Sequence, residues 1–374
     1  MSTQVAAERV RALIHDSGLT QAEFAVRAGL DAPKLSKSLS GVRRFTSLDL
    51  ARIAEVGGTT VDWLLGSEKP IPSLAARADE SRGQAVEVAI EKATVLSEAR
   101  AGLTYLGNKH DLPFVPDQPA AGRRIDQGSA LAEAAVAHLA AHGADPAVGS
   151  LPDLVEDHFG ADVAVLDIPA GCDGLSWRDD HSWLIVAATS QAPTRQRFTI
   201  AHELGHLLAG DDQKLHVDVD VTAPGLADRG SEMRANAFAA AFLLPRDALE
   251  QVVQADQELS QQAFAEHAMR FAVSPSTLWF RLRNLLGIEL PESWRRLTTA
   301  ECAHLAGRSD QFAEQLAAAR RERLPKALVR ETYAAYAAGQ MTLRPLAALL
   351  GVPVHALRES LEATPRAEGP DFLP

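Results

Sequence analysis

The sequence has 374 residues, enough for two or three domains of roughly 100 to 200 residues each. Its 46% hydrophobic and 23% charged residues are typical of globular proteins and exclude a wholly disordered chain, and no apolar run approaches the ~20 residues of a membrane-spanning helix. The net charge of -12 excludes a surface that is basic throughout, and the two cysteines exclude a disulfide framework and a four-cysteine zinc site. With no secretory signal visible, we expect a soluble, cytoplasmic protein that does not bind a membrane.

The first segment, residues 5 to 66, has the apolar spacing and turn residues of five short helices and no strand pattern. Thr20 and Glu23 form the Ser/Thr-x-x-Glu pattern of a helix start, so a helix is predicted to begin at Gln21. Gly29 suits a left-handed turn and Asp31 suits the cap of a second helix, which together predict a helix-turn-helix. The expected core comprises Phe24, Ala25, Leu30, Leu35, Leu39, Leu48, Leu50, Ile53, Trp63 and Leu64. The second helix is expected to turn Lys34, Ser36, Lys37 and Ser38 mostly outward.

Positive charge is concentrated in this segment. Positions 27 to 52 contain six basic and two acidic residues, a local charge of +4 in an acidic protein, which fits contacts with phosphates. The stretch from Leu19 to Gly66 also resembles the XRE, or lambda-repressor-like, helix-turn-helix family. The matching positions are Leu19, Thr20, Gln21, Ala25, Ala28, Gly29, Ser36, Gly41, Leu50, Ile53, Ala54, Leu64 and Leu65. Ser40 departs from the acidic residue that is common there.

This resemblance implies that the N-terminal segment binds double-stranded DNA. Gln21 and the helix from Asp31 to Ser38 would meet the duplex, and this helix carries Lys34, Ser36 and Lys37. Arg43 and Arg44 would contact backbone phosphates. A homodimer is expected because readers of this type engage two half-sites one helical turn apart. The alternative interpretation is a helical protein-protein module with a solvated basic face.

The next segment connects this module to the rest of the chain. Ser73 to about Leu106 has a helical pattern and is interpreted as a connector or a dimerising arm. Pro113, Pro116, Pro119 and Gly122 then predict a linker. We therefore assign residues 1–68 to the DNA-binding domain and residues 69–128 to a helical connector with a Pro-rich linker.

A second compact region, assigned to residues 129–250, has an α+β pattern. Helices are predicted from Ala130 to His142, near Leu151 to Phe159 and from Arg195 to Ala209. Strands are predicted from Asp162 to Asp167 and from Trp183 to Thr189. The last of these helices contains the spacing His-Glu-x-x-His.

That spacing indicates a metal site. His202 and His206 are four residues apart and share one face of a helix, so both imidazoles can bind one cation. Glu203 lies beside that face, where it can take a proton from the attacking water and pass it to a leaving amine. A catalytic zinc needs a third protein ligand, for which we predict Glu232. Rival third ligands are Asp211, Asp212, His216 and Asp218, and His216 is alternatively a group that orients a tetrahedral intermediate.

Leu151 to Ile288 resembles the ImmA/IrrE metallopeptidase family. The resemblance rests on Arg195-Gln196-Arg197-Phe198-Thr199, His202-Glu203-Leu204-Gly205-His206, Glu232, Ala235-Asn236, Phe238-Ala239, Leu243-Leu244-Pro245, Val273-Ser274-Pro275-Ser276 and Arg281-Leu282. It implies a gluzincin-like site with His202, His206 and Glu232 on zinc and Glu203 as general base. Ala187-Ala188 departs from the asparagine that is often found on the strand before the active helix. Manganese is an alternative to zinc at such a site.

Taken together, these patterns and resemblances predict a mainly α, multidomain protein. Its parts are an all-α helix-turn-helix bundle, a central α+β gluzincin-like metallopeptidase with a small sheet, a helix-turn-helix-like segment at 251–290 and a C-terminal helical region at 291–374. The predicted function is a DNA-binding transcriptional regulator whose zinc endopeptidase domain cleaves a repressor-like protein, the substrate class that the resemblance implies. The competing hypothesis is a regulator or antitoxin whose peptidase-like domain senses a signal or binds a partner protein without turnover.

Overall fold

The structure is a computed structural model that describes residues 2–17, 19–56, 64, 80–108, 114, 116, 122–179, 181–211, 216–218, 229–255 and 259–363. The chain divides into two compact units, Met1–Ser73 and Leu74–Pro374. The predicted linker at Pro113 to Gly122 lies largely outside the described residues. Among those residues, no helix combines the length and the apolarity needed to cross a membrane.

The first unit contains α1 (Ser2–Asp16), α2 (Gln21–Arg27), α3 (Ala32–Leu39) and α4 (Ser47–Val56). The predicted start at Gln21 is confirmed, because Thr20 and Glu23 cap each other's backbone amides at the N-terminus of α2. Gly29 takes the predicted left-handed conformation, with φ of 61°. The fifth predicted helix, with Trp63, lies outside the described residues except for Leu64.

Two expectations about side chains in this unit are wrong. Leu48 was assigned to the core but is 60% exposed. Ser38 was expected to face outward but is fully buried, where its hydroxyl accepts a hydrogen bond from Arg43 Nη1 at 3.2 Å. In both helices the apolar spacing is helical, as predicted. The observed buried face, however, is rotated slightly about the helix axis from the predicted face.

The second unit begins with α5 (Glu80–Tyr105), α6 (Arg124–Ala141), α7 (Leu151–Phe159), β1 (Asp162–Leu166), β2 (Gly174–Arg178), β3 (Trp183–Ala188), α8 (Pro193–Ala209), β4 (His216–Asp218) and α9 (Arg229–Leu243). It continues with α10 (Arg246–Ala255), α11 (Gln261–Phe271), α12 (Pro275–Leu286), α13 (Glu292–Arg295), α14 (Thr299–Leu305), α15 (Ser309–Ala319), α16 (Lys326–Ala337), α17 (Arg344–Leu349) and α18 (Val354–Ala363). Helices thus predominate over a small sheet, as the fold class predicts.

The sheet has four strands in the order β1-β3-β2-β4. β1 pairs in parallel with β3, whereas β2 pairs antiparallel with both β3 and β4. The sequence predicts β1 and β3 within one residue of their observed ends but misses β2 and β4. β2, which begins at Gly174, lies between β3 and the edge strand β4.

Helices cover both faces of the sheet, so alternate residues of β1 and β3 enter different cores. Val163 and Ile185 pack into a core formed largely by α6 to α12. Ala164 and Val186 point the other way, into a core that contains α5, α16 and α17. Strands that are buried on both faces lack polar alternation, which explains why the sequences of β1 and β3 are almost wholly apolar.

The position of α5 differs from the expected connector. Its buried face, which includes Ala89 and Leu96, packs on the second face of the sheet. Arg100, also on α5, is fully buried and binds Asp162 at the start of β1. Residues 80–363 all lie in the second compact unit.

Candidate metal centre and nucleic-acid face

Helix α8 carries the His-Glu-x-x-His spacing through the middle of the second unit. Pro193 occupies its first turn, where a missing amide proton costs nothing, and Gly210 ends it in the left-handed conformation with φ of 62°. The helix packs on β2 and β3 and against α7 and α9. Its residues from Thr199 to Ala209 are consequently all buried, including both histidines and Glu203.

His202, His206 and Glu232 meet, as the sequence predicts. One potential ligand atom from each lies within 4.8 Å of those of the other two. The two Nε2 atoms are 3.0 Å apart, and each is 3.3 Å from a carboxylate oxygen of Glu232. α9 brings Glu232 to this point because it packs directly against α8.

The opposite nitrogen of each imidazole is held by a polar side chain. His202 Nδ1 lies 3.1 Å from Asn236 Oδ1, and His206 Nδ1 lies 2.9 Å from Asp211 Oδ2. Asp211 in turn pairs with Arg234. Both Nδ1 atoms face acceptors, so they carry the protons of the neutral rings and leave the Nε2 lone pairs facing each other.

This donor set fits a divalent cation. Two Nε2 lone pairs and a carboxylate converge on one point, with 3.0 to 3.3 Å between the atoms. Because all of these atoms are acceptors, they repel one another, and a cation bound between them removes that repulsion. Burial by itself raises the pKa of Glu232, whereas hydrogen bonds and positive charge from His202 and His206, when these rings are protonated at Nε2, lower it well below the usual range. The carboxylate is therefore ionised, which is the form that binds a metal.

The structure narrows the choice among the rival third ligands. Asp211 contacts the outer nitrogen of His206 and so orients a ligand rather than joining the three convergent atoms. Asp212 lies outside the described residues, as do the side chains of His216 and Asp218.

Sequence reasoning missed the roles of Asn236 and Asp211. Asn236 lies one helical turn after Glu232 on α9, which is a signal that its side chain shares a face with that ligand.

Glu203 is fully buried beside the two histidines, where β2 meets α8. A Cβ atom on Gly174, the first residue of β2, would lie 2.6 Å from Thr199 Cγ2 and 3.6 Å from Glu203 Cγ. Only glycine permits this approach. The backbone of β2 thus borders the proposed general base directly.

Gly205 sets the distance between α8 and α9. A Cβ atom there would lie 2.9 Å from the ring of the buried Phe238, which stacks on Phe242. We expect Gly205→Ala to destabilise the protein by about 1 to 3 kcal/mol through overpacking. We also expect it to lower zinc affinity, because α9 carries Glu232. Urea unfolding and zinc titration measure the two effects.

The matched control for this substitution is Gly102→Ala on α5. A Cβ atom at Gly102 would meet only Met341 Cε, at an ordinary 3.7 Å. Alanine should therefore stabilise that helix by roughly 1 kcal/mol. Equal effects of the two substitutions would contradict the proposed role of Gly205.

The residues predicted to bind DNA all lie on the first unit. Gln21 is exposed at the start of α2, Lys34, Ser36 and Lys37 are exposed on α3, and Arg44 is exposed after α3. Asp31 is the N-cap of α3, where its carboxylate accepts a hydrogen bond from the Lys34 amide at 3.2 Å. Arg43 is half-buried in an ion pair with Asp49 at 2.8 Å. These contacts give Asp31 and Arg43 a role in holding α3 and the turn after it.

Two comparisons with known proteins bear on the second unit. Residues 156–283 match the family model Peptidase_M78, described as an IrrE N-terminal-like domain. The chain is also 33% identical, over 114 residues, to the radiation response metalloprotease IrrE of Deinococcus radiodurans. That alignment covers 29% of this chain and 34% of the relative, so the chain spans about a third of the relative's length. His202, Glu203, His206 and Glu232 all lie within the matched family domain.

Proposed function

We propose that this protein is a regulator with a zinc-dependent endopeptidase site in its second unit and a duplex-DNA reader in its first. The observation that carries the proposal is the convergence of His202, His206 and Glu232 beside Glu203, with both outer imidazole nitrogens held by Asn236 and Asp211. His202, His206 and Glu232 are the proposed metal ligands. Two imidazoles and one carboxylate suit zinc, with manganese as a second possibility.

Each residue of the site has a distinct part in peptide hydrolysis. Zinc, when bound, supplies a Lewis acid that polarises the scissile carbonyl and promotes ionisation of water. Glu203 accepts the proton of the attacking water at a carboxylate oxygen and returns it to the leaving amine. Asn236 and Asp211 keep the imidazoles in the tautomer that presents Nε2. The neighbouring β2 backbone excludes bulk solvent from one side of Glu203.

Metal analysis of the wild type beside Glu232→Ala tests the ligand set. We expect the wild type to bind zinc at this site and Glu232→Ala to lose that zinc and all cleavage activity, because two imidazoles alone hold zinc much less tightly. The matched control is Glu314→Ala, an exposed glutamate on α15. Full zinc retention at the site in Glu232→Ala would contradict the assignment.

The proposed substrate is a repressor-type protein, on the resemblance to the ImmA/IrrE family. Candidates encoded beside this protein should be incubated with the zinc-loaded full chain, with and without a chelator.

Full burial of His202 and Glu203 favours activity that depends on an opening step. The same burial supports the second candidate function, in which the site senses a signal or binds a partner without turnover. Zinc-dependent binding of a candidate without cleavage would favour that function.

DNA binding is proposed for the exposed face of α3. We expect Lys37→Ala and Arg44→Ala each to weaken duplex binding at all sequences and to reduce the slope of log affinity against log salt by about 1, since each removes one phosphate contact. Arg344→Ala, an exposed arginine of the second unit, should have no effect. Unchanged affinity and salt slope in both variants would favour the protein-protein module. A homodimer on paired half-sites remains part of the proposal.

A further inference from the structure

A second group of potential metal ligands lies apart from α8. Among the described residues, His138, His142 and His158 are the only other three candidate ligands that converge, with one ligand atom from each within 4.8 Å of the others. His138 is in the last turn of α6, His142 caps that helix, and His158 is in the last turn of α7. The proposed peptidase chemistry uses none of them.

Backbone carbonyls orient two of these rings. His138 Nε2 lies 3.0 Å from the carbonyl oxygen of His158, and His142 Nδ1 lies 2.8 Å from the carbonyl oxygen of His138. A carbonyl only accepts, so each of these nitrogens donates its proton. The other nitrogen of each neutral ring then has a lone pair for a metal. Zinc-binding histidines are typically held in this way.

The surroundings favour a cation. The cluster lies at the C-terminal ends of α6 and α7, where the helix dipoles give a partial negative charge. His142 is exposed and the other two rings are half-buried, which leaves an entry path. His138 also packs 4.6 Å from the ring of Phe114, which restricts its orientation.

We propose that His138, His142 and His158 form a second metal site, which binds zinc and links the end of α6 to the end of α7. Three neutral imidazoles with an open fourth position form a known zinc ligand set. The proposal goes beyond the peptidase function and does not depend on it. The link matters to the fold because α6 is also part of a second close contact. It packs so tightly on α9 that a Cβ atom at Gly128 would meet the carbonyl oxygen of Arg234.

The test uses the full chain, stripped of metal and then equilibrated with zinc alone at a fixed free concentration. We expect two zinc ions per wild-type chain, one in Glu232→Gln, one in His142→Gln and none in the double variant. Loss of an outer-shell partner typically lowers metal affinity by roughly 10- to 100-fold. We expect the loss of a ligand to lower zinc affinity by more than that. His304→Gln, an exposed histidine on α14, is the matched control and should keep two.

Thermal unfolding tests the link between the helices. Added zinc should raise the unfolding midpoint of Glu232→Gln but not of Glu232→Gln with His142→Gln. Zinc binding that His142→Gln and His158→Gln both leave unchanged would overturn the site, and zinc binding without a shift in the midpoint would overturn the link. Failure of the peptidase site is distinguishable, because Glu232→Gln would then retain all the zinc of the wild type.

Discussion

Glu203→Gln is expected to lower kcat for peptide cleavage by roughly 10²- to 10⁴-fold, the usual contribution of a general base. Glutamine has nearly the same shape as glutamate but cannot accept the proton of the attacking water. Glu203 is fully buried between α8 and the start of β2, so this isosteric change preserves the packing there. KM and zinc content should therefore stay close to those of the wild type.

Steady-state kinetics with a cleaved candidate protein, together with metal analysis of the same preparations, measures this effect. The control is Glu314→Gln, an exposed helical position that should leave kcat unchanged. Glu203→Asp is a second informative variant, because it keeps a carboxylate but retracts it by one methylene. A wild-type kcat in Glu203→Gln would remove Glu203 from the mechanism, whereas loss of zinc would show that the residue supports the metal ligands.

Local signals explain which parts of the metal site the sequence predicts. His202 and His206 are one turn apart on one helix, so their proximity follows from helical geometry alone. Glu232 is remote in sequence, and its assignment rested on its place at the start of an apolar helix expected to pack against the first, to which the family resemblance was added. Asn236 and Asp211 were missed as orienting groups because their contacts with the Nδ1 atoms depend on how α9 and the end of α8 pack. Helical spacing places Asn236 on the face of Glu232, but nothing in the sequence specifies that this face meets the outer nitrogen of His202.

The same division applies to the fold. The start of α2 is predicted correctly because Thr20 and Glu23 form a contact within one turn. β2 was missed because its alternation of Leu175 and Trp177 with Ser176 and Arg178 covers only five residues, the first of them a glycine. The helical pattern of α5 is evident from the sequence, but nothing in it specifies which surface the apolar face covers. The partner of Arg100 is 62 residues away.

Arg100→Met should cost about 3 to 5 kcal/mol of unfolding free energy, the range found when one partner of a buried ion pair is removed. Arg100 donates two hydrogen bonds to Asp162, at 2.6 and 2.8 Å, and one to Glu331 at 2.6 Å. Burial lowers its pKa, but these bonds outweigh burial and the net pKa is raised. Methionine fills much of the same volume, so the expected loss comes mainly from the Asp162 carboxylate, which remains buried without its partner.

Urea unfolding followed by tryptophan fluorescence measures this loss, and a double variant separates charge from packing. Arg100→Met with Asp162→Asn leaves no buried carboxylate at this position, so it should be more stable than Arg100→Met alone. Arg123→Met is the control, because the pair between Arg123 and Asp126 is largely exposed and its loss should not be measurable. If Arg100→Met were as stable as the wild type, α5 would not be anchored to β1 through this pair. A double variant no more stable than the single one would assign the loss to packing, since a buried unpaired charge is the only term that Asp162→Asn relieves.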